Sequence, residues 1–186
     1  MAHTMTKDEL LNILNIDDLR YVPEKIMEIL NSPERDAFYI KLLHLNEFDM
    51  SFDWFQSVYE EEYSERKKKK QDFTPSCLGI LCSQLTGAKE GTLMEPTAGN
   101  GSMIISDWWN KAKKQMVWDY KPSKHKVECW ELSDRSIPIL LLNLSIRGIC
   151  GIVHHGDVLE QTDKACYELR NPKDDSLCFS QIIKVL

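Results

Sequence analysis

Apolar residues recur at helical spacing through the first third of the chain. A stripe that starts at Leu10 predicts one amphipathic helix, and a stripe that starts at Ile26 predicts a second. Ser32-Pro33-Glu34 is typical of a helix N-terminus, with proline in the first turn. No glycine occurs before Gly79, as expected for helices joined by short turns. The pattern therefore predicts an all-helical N-terminal region over residues 1–70.

From residue 71 onward, short apolar strands alternate with helices. Strands are predicted at 92–95, 124–131 and 150–154, and helices at 76–85, 102–116 and 133–147. Such alternation is typical of a parallel sheet with right-handed crossovers. A further apolar stretch at 177–186 predicts one or two additional elements. We therefore expect an α/β domain over residues 71–186.

A glycine-containing loop, Glu95 to Gly101, connects the first predicted strand to the helix that follows it. Its two glycines, Gly99 and Gly101, allow the backbone to turn tightly and to approach a ligand closely. The helix beyond them presents free N–H groups at its N-terminus. The loop matches neither the Gly-Lys-Ser/Thr phosphate-binding motif nor the spacing of the dinucleotide motif.

Acidic residues stand where the next two predicted strands end. Glu131 closes the second strand, and Asp157 follows the third after a glycine. A carboxylate at the first position can accept hydrogen bonds from two ribose hydroxyls. A carboxylate at the second can accept one from the exocyclic amine of adenine. Together with the glycine loop, these acids predict a site for an adenosine group.

Composition and charge exclude several other classes of protein. Among 186 residues the net charge is −6, which argues against a chain that coats nucleic acid nonspecifically. The basic run Arg66 to Lys70 is either a solvated helix end or a phosphate contact. No apolar run approaches the roughly 20 residues that span a bilayer. The 6 cysteines form no Cys-x-x-Cys pair, so we expect buried reduced thiols, a cytoplasmic protein and no metal.

Residues 71–159 resemble adenine-N6 DNA methyltransferases, especially the modification subunit of type I restriction systems. Phe73-Thr74-Pro75 resembles the motif that opens the catalytic domain, and Glu95 to Gly101 resembles the cofactor loop. Cys129 to Leu132 and His155 to Leu159 resemble the ribose-binding and adenine-contacting segments. The resemblance implies a Rossmann-like methyltransferase sheet, preceded by a helical region, with S-adenosylmethionine as the cofactor and DNA as the partner. The residues implied to bind the cofactor are Phe73, Thr74, Pro75, Glu95, Pro96, Thr97, Gly99, Gly101, Glu131, Asp157 and Val158.

The catalytic motif of that family is Asn or Asp, then Pro-Pro, then Tyr or Phe, after the fourth strand. It accepts hydrogen bonds from the target amine and stacks on a flipped-out base. The candidate in this chain is Asn171-Pro172, which lacks the second proline and the aromatic residue. Residues 170–175 also suit a simple polar loop. We therefore expect one of three cases: a fragment, a short homologue of the kind that mobile elements carry, or one part of a site that a partner completes.

Three functions stay open from the sequence. The first is methylation of adenine N6 in DNA. The second is a non-catalytic module that keeps the methyltransferase fold and binds the cofactor, DNA or a restriction-modification subunit. The third is methylation of RNA, protein or a small molecule, because a generic adenosylmethionine site serves any of these substrates.

Overall fold

The computed structural model describes residues 4–59, 76–86 and 90–186, and their fold is α/β. The helices are α1 (Lys7–Leu14), α2 (Val22–Leu30), α3 (Arg35–Leu45), α4 (Ser76–Thr86), α5 (Ser102–Ala112) and α6 (Ser136–Ile146). The strands are β1 (Gly91–Glu95), β2 (His125–Glu131), β3 (Gly151–Asp157), β4 (Thr162–Arg170) and β5 (Gln181–Lys184). Short 3₁₀ turns precede α2 and β2, and residues 56–59 are helical. The predicted boundary at residue 70 lies outside the described residues.

The first helix shows how the local sequence sets its start. The Thr6 hydroxyl accepts from the Glu9 N–H at 3.3 Å, and the Glu9 carboxylate accepts from the Thr6 N–H at 2.8 Å. This reciprocal pair satisfies two N–H groups that a helix N-terminus would otherwise leave free. The helix ends at Asn15, whose backbone is left-handed with φ 55°. Both ends of α1 are therefore encoded within the helix itself and its two flanking residues.

The five strands form one mixed sheet in the order β1-β2-β3-β4-β5. The first three strands are parallel, as predicted, whereas β4 and β5 are antiparallel to their neighbours. Only residues 158–161 separate β3 from β4. A parallel connection needs about a dozen residues or more, so this short link can form only a hairpin. A wholly parallel sheet is therefore the wrong description of the C-terminal third of the chain.

Other elements also differ from the sequence expectation: β3 runs to Asp157 where the pattern predicted an end at 154, and α6 begins at Ser136 where the pattern predicted 133. The helix predicted to reach residue 116 ends at Ala112, and β4 was not predicted at all. In β4 the residues Ala165, Cys166 and Leu169 are buried, while Glu168 is half-buried and Arg170 is exposed. Because the adjacent residues 165 and 166 are both buried, β4 lacks the strict alternation of a half-buried strand. The hydrophobic pattern therefore gave no strand signal there.

Helix α6 is the centre of the core. All ten residues from Ile137 to Ile146 are buried, because α6 is covered on several sides at once. Helix α2 packs against it, and so does β5. The Tyr39 hydroxyl of α3 also hydrogen-bonds the Ser145 hydroxyl at 2.5 Å. The N-terminal helices and the sheet therefore share one continuous hydrophobic core.

The two faces of the sheet differ in their surroundings. Val127, Cys129 and Val153 are buried on the face that belongs to the core. On the opposite face, Glu128 is exposed, and Trp130 and His154 are half-buried. Because side chains alternate between the two faces of a strand, the sequence neighbours of the buried residues point away from the core.

The cysteines form no disulfide, in agreement with the expectation of free thiols. Cys129, Cys150 and Cys166 are buried, whereas Cys77 and Cys82 are exposed on α4. The expectation that all were buried is therefore wrong for α4, where one face of a surface helix is open to solvent. Within the described parts of the chain, no helix is long and apolar enough to cross a membrane.

Candidate functional site

Three acidic residues end the three parallel strands at one edge of the sheet. Glu95 ends β1, Glu131 ends β2 and Asp157 ends β3. Glu95 pairs with Cys129 across the strands, and Glu131 pairs with His155. All three acids are half-buried. Because the strands are parallel, the three acids lie at the same edge of the sheet, with Glu95 two residue levels short of Glu131 and Asp157 two levels beyond it.

The loop after β1 is held in a compact turn against β2. The Ala98 N–H donates to the Trp130 carbonyl at 2.8 Å, and the Gly101 N–H donates to the Ala98 carbonyl at 2.8 Å. Gly99 and Gly101 have left-handed backbones, with φ of 55° and 94°. Side chains disfavour this conformation, so glycine is the suitable residue at both positions.

The two glycines differ in what surrounds them. A Cβ placed on Gly101 would lie 2.9 Å from the Leu140 Cδ1 of α6, so Gly101 allows the loop to pack closely on that helix. A Cβ placed on Gly99 would meet nothing within 4 Å. The backbone at Gly99 therefore faces open space, which is the access that a ligand needs.

The Glu131 carboxylate joins this loop to the end of β2. Its Oε2 accepts from the Gly99 N–H at 2.7 Å, and its Oε1 accepts from the Ser133 N–H at 2.7 Å. Each carboxylate oxygen can accept two hydrogen bonds, so each retains capacity for one more. Glu131 is thus oriented by the backbone on both sides and can still accept from two hydroxyl groups.

Asp157 is fixed in a similar way by the turn that follows β3. Its Oδ1 accepts from the Leu159 N–H at 2.8 Å and from the Glu160 N–H at 3.3 Å. Both bonds use the same oxygen, which leaves Oδ2 without a partner among the described residues. Val158 beside it is half-buried and can contribute apolar contact.

The start of the loop is more open. Pro96 and Thr97 are exposed, and the Thr97 N–H donates to the Glu95 Oε1 at 3.3 Å. Helix α5 begins directly after Gly101, so its N-terminal N–H groups lie at the same edge as the acids. The loop therefore combines N–H donors and carboxylate acceptors within one short segment.

A buried polar network that the sequence pattern did not reveal connects the glycine loop to helix α6 and to Asp53. The Asn143 side-chain amide donates to the Asn100 carbonyl of the loop at 2.9 Å and to the Asp53 Oδ1 at 2.9 Å. Burial raises the pKa of the Asp53 carboxyl, and the hydrogen bond from Asn143 opposes that rise. The sequence signal was a polar Asn inside the otherwise apolar α6.

Arg147 completes this network. Its guanidinium donates to the Met50 and Phe52 carbonyls at 3.0 and 2.6 Å, and it lies over the Trp54 ring. It also donates to the Asn143 carbonyl and side-chain oxygen at 2.8 and 3.1 Å. Burial lowers the pKa of Arg147 to about 10. The segment at 49–55 is thereby tied through α6 to the glycine loop.

The candidate catalytic residues Asn171 and Pro172 are not brought to this edge. Gly151, at the start of β3, pairs with Leu169 near the end of β4. The end of β4 therefore lies at the opposite edge of the sheet from Asp157. The Asn171 amide is buried and donates to the carbonyls of Asp175 and Cys178 at 2.8 and 2.9 Å. It closes a loop, which is the alternative role that the sequence left open for residues 170–175.

The remaining predicted residues, Phe73, Thr74 and Pro75, lie outside the described residues, as does the basic run at 66–70. Compared with protein-family models, with curated proteins and with solved structures, the chain matches none of them.

Proposed function

We propose that the protein binds S-adenosylmethionine at the edge formed by the ends of β1, β2 and β3, as a methyltransferase-like binding module. One observation carries the proposal: Glu131 accepts from the Gly99 N–H at 2.7 Å while the backbone of Gly99 faces open space. Glu131, the proposed acceptor for the ribose, and the glycine loop, which would contact the rest of the ligand, are therefore joined by a hydrogen bond.

The donors and acceptors at this edge fit an adenosine group. Glu131 has two oriented oxygens for the two ribose hydroxyls, and the free Asp157 Oδ2 can accept from the adenine amine. Val158 beside Asp157 adds apolar contact for a flat base. Crevices at the carboxyl ends of parallel strands are also where ligands bind in α/β sheets generally. When bound, S-adenosylmethionine would supply an activated methyl group.

The methionine end of the cofactor would extend along the loop toward the N-terminus of α5. Its carboxylate would be favoured by the free N–H groups and the positive end of that helix. By the resemblance to adenine-N6 DNA methyltransferases, Phe73, Thr74 and Pro75 would contact this end. We propose this orientation of the ligand on the resemblance together with the position of the α5 N-terminus.

Methylation of adenine N6 in DNA is the second candidate function, and it is supported by the ordered set of family-like motifs. Against it stands the position of Asn171, which is occupied in closing a loop at the other edge. Among the described residues, no Asn or Asp followed by proline lies near Glu131. We therefore place binding ahead of catalysis and propose that methyl transfer, where it occurs, requires catalytic groups beyond those described.

Calorimetric titration with S-adenosylmethionine tests the binding proposal. We expect one site, with affinity reduced by about 1–3 kcal/mol, or roughly 5- to 150-fold, in Glu131→Ala and in Asp157→Ala. Glu90→Ala is the matched control, since Glu90 is an exposed acid before β1 at the other edge of the sheet. Unchanged affinity in both site variants would show that the pocket is placed wrongly.

A methyl-transfer assay separates the two candidate functions. Radiolabelled S-adenosylmethionine is incubated with the protein and adenine-containing duplex DNA, and label in the DNA is counted. Incorporation that is lost in Glu131→Ala would favour the enzyme. Intact binding with no incorporation would favour the binding module.

A further inference from the structure

A cluster of three potential metal ligands lies on the face of the sheet opposite the core. The His154 Nδ1 is 3.0 and 3.1 Å from the two carboxylate oxygens of Asp163. One ligand atom from each of His154, Asp163 and Cys166 lies within 4.8 Å of the other two. Cys166 is buried, and the other two side chains are 16% and 21% exposed. The cluster is therefore enclosed but reachable.

We propose that His154, Asp163 and Cys166 form a binding site for a zinc-type divalent transition metal ion. Imidazole, carboxylate and thiolate are the three ligand types that Zn²⁺ takes in proteins. Metal–ligand distances of about 2.0–2.3 Å place tetrahedral ligands about 3.3–3.8 Å apart. Side-chain adjustments of about an ångström would bring these atoms to that spacing. Three protein ligands leave the fourth position for water or a further ligand.

A β-bulge creates this cluster, which distinguishes it from a chance contact on a regular sheet. His154 pairs with Cys166 and His155 with Ala165, but Gly156 pairs with Asp163. Lys164 is therefore an extra residue in β4. In a regular strand, Asp163 and Cys166 would point to opposite faces, since they are three positions apart and side chains alternate at every position. The bulge turns Asp163 to the face of His154, and bulges often re-aim a side chain in this way.

Gly156 allows the bulge to approach β3 closely. A Cβ at Gly156 would lie 2.0 Å from the Thr162 carbonyl oxygen and 2.9 Å from the Asp163 Cα. Any larger residue would push β4 away and move Asp163 from His154. The glycine and the bulge together therefore hold the ligand set in place.

One neighbour stacks on the His154 ring, and a carboxylate lies near its second nitrogen. The Trp130 ring stacks on it, with centroids 4.1 Å apart and an angle of 8° between the planes. The Glu128 Oε1 lies 3.8 Å from the His154 Nε2, on the side of the ring away from Asp163. Metal-binding histidines usually direct their second nitrogen to a carboxylate, which sets the tautomer. Metal binding through Nδ1 uses the neutral His154 tautomer with its proton on Nε2, and the Cys166 thiol would release its proton to solvent as the metal–sulfur bond forms.

Titration with Co²⁺ tests the proposal, because cobalt reports its ligands through its absorption spectrum. The full chain is used in reduced, metal-free form, and the exposed Cys77 and Cys82 are replaced by serine in every protein tested. We expect one Co²⁺ per chain, visible bands of four-coordinate cobalt, and a thiolate-to-cobalt charge-transfer band. Zn²⁺ should displace the cobalt with one-to-one stoichiometry.

Two variants and one matched control decide the outcome. Cys166→Ser should remove the charge-transfer band, whereas Cys150→Ser should keep it, although both thiols are 9% exposed. Asp163→Asn keeps an acceptor for His154 and should weaken Co²⁺ binding at least about tenfold. The proposal is overturned if the chain does not bind one Co²⁺ per molecule. It is also overturned if the charge-transfer band is still present in Cys166→Ser. Should Cys166→Ser fail to fold by circular dichroism, unchanged affinity in Asp163→Asn overturns it alone.

Discussion

The Arg147 side chain connects the segment at 49–55 to helix α6. Its guanidinium donates to the Met50 and Phe52 carbonyls and to both oxygens of Asn143. It is 1% exposed, so water cannot replace these bonds. Arg147→Met keeps an unbranched chain that can still pack on the Trp54 ring but removes every donor. The variant therefore isolates the polar contribution from the packing.

The expected loss follows from what the variant leaves behind. The Met50 and Phe52 carbonyls would remain buried without a donor, at about 1–3 kcal/mol for each group, and these costs are not additive. Asp53 would lose the nearby positive charge that lowers its pKa. Removing one partner of a buried charged network typically costs about 3–5 kcal/mol. We expect the free energy of unfolding of Arg147→Met to fall by about 4 kcal/mol.

Urea denaturation followed by circular dichroism measures this change. With a slope of about 2 kcal/mol per molar urea, the midpoint should fall by about 2 M. Arg170→Met is the control, because Arg170 is exposed and, within the described residues, pairs with Glu168 alone on its own strand; its midpoint should not move. The double variant with Asp53→Asn should lose less than the sum of the single losses, by about 1–3 kcal/mol. A loss below about 1 kcal/mol in Arg147→Met, with an unchanged slope, would refute the reasoning.

The titration of Asp53 and the roles of the two loop glycines can also be tested. Burial raises the pKa of Asp53 above its ordinary value of 3.8, so its ionisation disfavours folding; the stability of the wild type relative to Asp53→Asn should therefore fall as pH rises through the raised pKa. Urea midpoints from pH 4 to 8 check this, and a difference that is constant with pH would contradict it. Gly99→Ala should cost only about 1 kcal/mol of stability yet weaken S-adenosylmethionine binding, because its methyl group enters the open space. Gly101→Ala should cost about 1–3 kcal/mol, because its methyl group meets Leu140; equal unfolding midpoints in the two glycine variants would contradict the packing argument.

Local pattern was sufficient to predict the part of the site that depends on strand ends. Apolar runs followed by Glu95, Glu131 and Asp157 predicted three strands with an acid at the end of each, and the structure has those strands. Parallel strands place their carboxyl ends at the same edge whatever the details of packing, so the position of these acids at one edge followed from sequence order. The glycine loop was equally local, because left-handed backbone at Gly99 and Gly101 is a property of the residue type.

Contacts between distant segments were decided only by the tertiary structure. The role of Arg147 depends on carbonyls about 95 residues earlier, at Met50 and Phe52, and no spacing rule relates these positions. The direction of β4 depended on the hairpin after Asp157, which carried Asn171 to the far edge. The cluster of His154, Asp163 and Cys166 required one extra residue in β4, and a shift of one residue reverses which face a side chain occupies. Periodicity determines which residues are buried within one element, whereas register and bulges arise only when two elements pair.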